Sequence, residues 1–369
     1  MLLLCLWSLG VGCAGQQIVP EEEHPSIFYP PLPTPPRIQY LTTISTPKDI
    51  GVTQGALSKF LFGEDPQLSA TIERPYGVAL FEGRLYVTDT RGPGYAVFDL
   101  DKKKYHFVYG DGPGAMKKPI NIVVDRDGTK YVTDTLRKQV LLFDQRDRFL
   151  RAYGAADEFK PSDVEIIGDR LYVTDLDHNN VHVLEKKTGK TLFTFGEENQ
   201  LGWPTNITRG PEGNLYITST GNAFVKKFAP DGKFLGNVGG LGVNIGKFAR
   251  PKGVALDREG RLYVVDAAFE NVQIFDPSGR LLLFFGEPGS EPHSINLPTS
   301  IVIDYDHVSY FQKFADPSFH VDYIIAIASQ YGKNKVTIFG FGKMAGIDYN
   351  APVEPPKPKE ERPVGSQQP

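Results

Sequence analysis

Residues 250–286 read RPKGVALDREGRLYVVDAAFENVQIFDPSGRLLLFFG, four short runs of β-branched and aromatic residues separated by polar turns. Short runs of this kind, broken by turns bearing Asp, Gly and Pro, are the pattern of an antiparallel meander. The pattern returns along the chain. Its opening segment recurs as RPYGVAL (74–80), KPINIVVD (118–125), KPSDVEII (160–167), WPTNITRG (203–210), RPKGVALD (250–257) and LPTSIVID (297–304). The prolines, Pro75, Pro119, Pro161, Pro204, Pro251 and Pro298, lie 44, 42, 43, 47 and 47 residues apart. A second segment follows as RLYVTDT (84–90), KYVTDT (130–135), RLYVTDL (170–176), NLYITST (214–220) and RLYVVDA (261–267), and in the sixth unit, after an insertion, as DYIIAIAS (322–329). A third runs YAVFDL (95–100), QVLLFD (139–144), NVHVLE (180–185), FVKKFAP (224–230), NVQIFD (271–276) and KVTIFG (335–340). Five units close with a fourth segment, ending at Tyr109-Gly110, Tyr153-Gly154, Phe195-Gly196, Val238-Gly239 and Phe285-Gly286.

Six such meanders are expected to pack radially. One alone buries too little apolar surface and leaves both edges open, whereas in a ring each sheet covers the face of the next. The fold predicted is all-β, a six-bladed β-propeller of four-stranded antiparallel blades. The sixth unit has no fourth strand of its own. RIQYLTTIS (37–45), which precedes the first unit, is expected to supply it and so close the ring; SKFLFG (58–63) is the competing segment.

A unit of the form P-x-G-V-A-D, then G-x-L-Y-V-T-D-T, N-x-V-x-V-F-D and a closing Phe-Gly resembles the NHL repeat, over about residues 75–344. The resemblance implies the propeller. It does not imply an activity, because related propellers include lyases, lactonases, RNA binders and protein-interaction modules.

Outside the repeats the chain changes character. The run LLLCLWSL (2–9) is too short to span a bilayer but suits the apolar part of an export signal, with small residues following it. LGVGCAG (9–15) resembles a bacterial lipoprotein cleavage site with Cys13 as the acylated residue; ordinary cleavage after Ala14 is the alternative. The expected organisation is a signal over 1–14, a proline-rich tether over 15–36, the propeller over 37–344 and a disordered proline-rich tail over 345–369. The implied location is the bacterial cell envelope, periplasmic or held to the membrane by an N-terminal lipid. Cys5 and Cys13 are the only cysteines, so disulfides and thiolate metal sites cannot hold the body together. With 40 Lys and Arg against 44 Asp and Glu the net charge is −4, which speaks against nucleic acid as a partner.

Two kinds of site follow. The second residue after each repeat proline is Gly77, Asn121, Asp163, Asn206, Gly253 and Ser300. Asn121, Asp163 and Asn206, from neighbouring blades, resemble part of the oxygen-ligand set of gluconolactonase-type calcium enzymes, and Glu165 would add charge. Against that, short polar side chains at a strand start commonly cap backbone groups. The aspartates of the second segments, Asp89, Asp134, Asp175 and Asp266, are expected to bind backbone N–H groups in every blade that has them. The seven histidines are spread as surface residues would be. The stronger reading is recognition of a protein or another envelope macromolecule, without catalysis or a cofactor, by loops after the second segments. These carry Arg91, Arg137, His178, Phe269 and Tyr331. The insertion YDHVSYFQKFADPSFHVDY (305–323) adds Tyr310, Phe311, Phe314 and Phe319, which either dock a partner or cover the last blade. The alternative is a metal-dependent lactonase or lyase with Ca²⁺ at the channel mouth.

Overall fold

A computed structural model describes residues 26–55, 59–61, 63, 72–155, 157–196 and 200–349. Six antiparallel sheets stand around a central channel. Ahead of the repeats come β1 (Phe28–Tyr29) and β2 (Ile38–Ile44). Blade 1 is built from β3 (Pro75–Phe81), β4 (Arg84–Asp89), β5 (Gly94–Asp99) and β6 (Lys104–Val108). Blade 2 is β7 (Pro119–Val124), β8 (Lys130–Asp134), β9 (Gln139–Phe143) and β10 (Phe149–Tyr153). Blade 3 is β11 (Pro161–Ile167), β12 (Arg170–Asp175), β13 (Asn180–Glu185) and β14 (Thr191–Phe195). Blade 4 is β15 (Pro204–Arg209), β16 (Leu215–Ser219), β17 (Phe224–Phe228) and β18 (Phe234–Gly239). Blade 5 is β19 (Pro251–Leu256), β20 (Leu262–Asp266), β21 (Asn271–Phe275) and β22 (Leu281–Phe285). Blade 6 has β23 (Pro298–Asp304), β24 (Phe319–Ser329) and β25 (Val336–Met344), and it borrows the first two strands of the chain, in the order β1-β2-β25-β24-β23.

The ring therefore closes with 37–45 as expected. Ile38 pairs with Phe341 and Ile44 with Val336. Residues 59–61, from the competing segment, are helical. β3, β7, β11, β15, β19 and β23 line the channel, each touching the next, and β23 returns to β3.

Apolar side chains gather in six clusters, one between each pair of neighbouring blades. Between blades 1 and 2, for example, Tyr86, Tyr95 and Val97 meet Ile122, Val132, Leu141 and Phe143. This is the burial that a lone meander cannot achieve. A belt of hydroxyls fixes the blades against one another near the channel. Thr88 Oγ1 donates to the carbonyl of Ile120 (2.7 Å), Thr133 to Ser162 (3.0 Å), Ser162 to Pro204 (2.7 Å) and Thr220 to Pro251 (2.6 Å). Thr299 Oγ1 donates to the carbonyl of Tyr76 at 2.8 Å and carries the belt across the seam.

The expectation for the flank is corrected, and the insertion takes the covering role, one of the two open to it, with its buried residues. The described part of the supposed tether lies on the body: Phe28 is buried, β1 pairs with β2, and Tyr349 Oη donates to the carbonyl of Pro36 at 2.7 Å. The apolar Phe28 finds a pocket against Phe319, which a solvated spacer would forgo. In the insertion, Phe311 and Phe319 are wholly buried in the cluster between blades 6 and 1, and Tyr310 and Phe314 pack against it. Ring closure gives Phe311 and Phe319 a dry interface to fill, while Tyr310 and Phe314 stay partly exposed at its edge. His307 fastens the insertion to blade 1 by accepting the N–H of Gly83 at Nε2 (2.6 Å). The signal at 1–14, Cys13, residues 15–25 and the tail from 350 lie outside the described residues. Among the described residues no helix is long and apolar enough to cross a membrane.

Candidate functional site: the cationic channel mouth

Every first strand of a blade begins, and every second strand ends, at the same end of the channel. The loops bearing Arg91, Arg137, His178, Phe269 and Tyr331 therefore share one face, as the sequence suggested. At its centre opens a cavity of about 1030 Å³. Its lining is chemically lopsided: Arg74, Lys118, Lys160, Arg250 and Lys252 are there, and Asp177 is the one carboxylate. Four of the five cations occupy the same repeat position, immediately before the proline, so the blade geometry delivers them to one rim. Among the described residues neither Lys118 nor Arg250 has an ion-pair partner. Lys160 Nζ lies 3.7 Å from Asp177, while Arg74 lies over the Tyr331 ring at 5.2 Å.

The rim also exposes apolar surface. Trp203 is 64% exposed and holds a φ of 49°, a left-handed conformation that costs a bulky residue about 1–2 kcal/mol. Asn179 Oδ1 holds it there by accepting the Trp203 N–H at 2.7 Å. Leu297, in the same place before Pro298, holds a φ of 45° and donates its N–H to Glu270 Oε1 at 2.7 Å, so the conformation belongs to the two blades with serine in place of the aspartate. Leu136 and Tyr331 are exposed on the same face.

The recurrent aspartates hold this rim in place. Asp134, wholly buried, accepts the backbone N–H groups of Lys117 (2.6 Å), Lys118, Leu136 and Arg137 (2.9 Å). Asp89 and Asp266 do the same in blades 1 and 5, binding Arg74 N–H and Arg250 N–H respectively at 3.1 Å. Each thus fixes the backbone that carries a rim cation.

Asn121, Asp163 and Asn206 lie buried one residue further along their strands than the cavity-lining Ile120, Ser162 and Thr205, and the structure does bring them together. With its amide turned so that both ends are satisfied, Asn206 Nδ2 donates to the carbonyls of Thr205 and Lys252 (3.2 Å each), and its Oδ1 accepts from Asn121 Nδ2 at 3.1 Å. Asn121 approaches blade 1 so closely that its Oδ1 would lie 2.2 Å from a Cβ at position 77, which is why that position needs glycine. Asp163 accepts the N–H of Val164 (2.8 Å) at one oxygen and that of Ile207 (3.0 Å) at the other. That is the backbone-capping role, extended across a blade boundary.

Burial pushes the Asp163 carboxyl up to about 8, outweighing the two N–H groups that favour its ionised form, and pushes Glu165 on the same strand up to about 7. A carboxyl that holds its proton better in the fold than in the unfolded chain stabilises fully below its ordinary value of 3.8. The contribution then fades as pH rises through about 8. The free energy of unfolding measured between pH 4 and 9 should therefore fall, by on the order of 2–4 kcal/mol. Asp163→Asn should flatten much of that fall. Parallel profiles for the two proteins would contradict this account.

Of the loop residues named from sequence, Arg137 is committed to its own chain, donating to the carbonyls of Pro113 (2.8 Å) and Ala115 (2.7 Å). Arg91 pairs with Glu73 at 2.9 Å, and Phe269 is half-buried. His178 and Tyr331 are exposed. Sequence reasoning passed over the rim cations, although their signal was present: the residues before the six prolines are Arg, Lys, Lys, Trp, Arg and Leu.

No protein-family model and no curated protein sequence matches the chain. Solved structures do. An auxiliary nutrient binding protein from Bacteroides thetaiotaomicron superposes with a TM-score of 0.60 at 14% identity, over 83% of this chain and 77% of that one. A gluconolactonase from Xanthomonas campestris superposes at 0.55 and 15% identity, over 86% of this chain and 98% of the other. For virginiamycin B lyase from Staphylococcus aureus the values are 0.53 and 14%, over 74% and 97%. At such identities the likeness is one of fold: a six-bladed propeller that serves binding proteins, lactonases and lyases alike.

Proposed function

We propose that this chain is a non-enzymatic binding module of the NHL-repeat type, whose channel mouth receives an acidic segment of a protein partner. One observation carries the reading. A chain of net charge −4 collects five cationic side chains and a single carboxylate around one cavity, and among the described residues Lys160 alone of the five has an ion-pair partner. Keeping like charges together is unfavourable unless an anion completes them. Trp203, Tyr331 and Leu136 around that charge supply the exposed apolar contacts that a peptide uses as anchors.

Trp203 makes the test direct. The chain has two tryptophans, Trp7 in the leader and Trp203 at the rim, so the emission of the propeller reports the mouth alone. Titration with an oligoglutamate peptide should shift that emission, more strongly at low salt. The double change Lys118→Glu and Arg250→Glu should weaken binding at least about tenfold. Emission unmoved by the peptide, or moved equally in both proteins, would sink the reading.

The reading includes export, with the module in the envelope and Cys13 as acyl acceptor. Its support is the apolar run at 2–9 ahead of Gly10, Gly12 and Ala14. The mass of the mature N-terminus is expected to be that of a lipidated Cys13; an intact Met1 would remove export from the account.

A second reading, a metal-dependent lactonase or lyase, is favoured by the raised carboxyls of β11, since such groups mark functional sites. Asn121, Asp163 and Asn206 would then supply oxygen ligands to Ca²⁺. A bound cation would keep Asp163 ionised and abolish the fall in stability with pH. A fall unchanged by millimolar calcium would leave only the binding module.

A further inference from the structure

Blade 3 uses its recurrent aspartate differently from its neighbours. In blades 1, 2 and 5 one oxygen of Asp89, Asp134 and Asp266 accepts the backbone N–H two residues before the repeat proline, from Glu73 (2.6 Å), Lys117 (2.6 Å) and Ala249 (2.7 Å). In blade 3, Oδ1 of Asp175 takes the backbone N–H groups of Lys160 and Asp177, both at 2.9 Å. Oδ2 is left to two imidazoles instead: His178 Nδ1 stands 2.6 Å away and His182 Nε2 3.2 Å away.

The strand register accounts for the meeting. Asp175 ends β12 opposite Asn180 of β13, so His182, two residues further along, lies diagonally across on the same sheet face. His178 sits on the turn between the two strands. Asp175 is fully buried, His182 is 7% exposed, and His178 reaches solvent.

We propose that Asp175, His178 and His182 form a binding site for a divalent transition-metal ion, zinc in the first instance. One ligand atom from each lies within 4.8 Å of the other two. Two imidazoles and one carboxylate are borderline donors, which suit zinc and its neighbours rather than calcium or magnesium. The outer oxygen of Asp175 is fixed by two backbone N–H groups, the kind of support that orients a metal ligand. A tetrahedral zinc with bonds of about 2.0–2.1 Å spaces its ligand atoms about 3.3 Å apart. The His182 pair already stands at 3.2 Å; the exposed His178 ring would have to draw back from 2.6 Å and set its nitrogen to the same spacing from that of His182, which lies within 4.8 Å. Solvent access at His178 leaves room for a further ligand. This site does not depend on the acidic-partner reading and stands or falls separately.

The test is calorimetric titration of the chelator-treated full chain with zinc chloride near neutral pH. One ion per chain is expected. His178→Ala changes an exposed turn residue, so folding should be spared, and it should weaken binding at least about 100-fold. His182→Gln should do the same. A Co²⁺-loaded protein should show visible d–d absorption that His178→Ala lacks. No zinc binding, or binding of equal strength in His178→Ala, would overturn the proposal.

Discussion

A chain from which residues 26–45 have been removed is expected to lose cooperative folding, or to melt at least about 15 °C lower, in a thermal scan followed by circular dichroism. Those residues carry the whole outer strand of blade 6. Ile38 and Ile44 are essentially inaccessible, Leu41 nearly so, and β2 is hydrogen-bonded to β25 from one end to the other. Burial of three such side chains contributes about 1.5–3 kcal/mol each. That sum alone is comparable with the net stability of an ordinary domain, about 5–15 kcal/mol. The loss would also expose β25 as an unpaired apolar edge, so aggregation should accompany it. A peptide spanning 26–45, supplied in trans, should restore part of the transition. A truncated chain melting within a few degrees of the intact one would mean that the ring does not need this seam.

Replacing Asp134 by alanine should cost about 3–5 kcal/mol in denaturant midpoint, a large effect for a single side chain. Its carboxylate satisfies four backbone N–H groups, and alanine takes the shared acceptor away from all of them at once in a part-buried site. Because Lys118 N–H is one of the four, the same change should weaken oligoglutamate binding although no charge at the rim has been touched. Blade 4 gives the internal comparison. There Ser219 stands in place of the aspartate and its Oγ accepts the single N–H of Gly202 at 2.8 Å. Ser219→Ala should accordingly cost much less. Equal losses at the two positions would show that the number of N–H groups bound is not what matters.

The ring was legible in the spacing of Pro75, Pro119, Pro161, Pro204, Pro251 and Pro298, because repeats that cannot bury their faces alone must stack. The closing strand was legible for a related reason: five units had four strands, one had three, and 37–45 was left over. The insertion was not, since composition cannot tell a buried Phe311 from an exposed one; that depends on whether an apolar crevice exists nearby, and the crevice exists only once blade 6 meets blade 1. Arg74 and Arg250 stand in the same place in their repeats, yet they come together only through a closed circle. Likewise His178 and His182 looked like scattered surface residues until the β12–β13 register set both beside Asp175. Side chains that act across blades are hidden from any reading made one unit at a time.

β2 enters at Ile38, paired with Phe341, and Tyr349 caps Pro36 nearby. This is the far pole of the cylinder, a full strand's length from Ile44 and the mouth. The described chain leaves that pole at Tyr349, whereas β1, antiparallel to β2, leads from Tyr29 back toward the level of Tyr40 on the outer face. A fusion partner joined after Tyr349 would therefore emerge at the pole opposite the basic rim and leave the mouth uncovered.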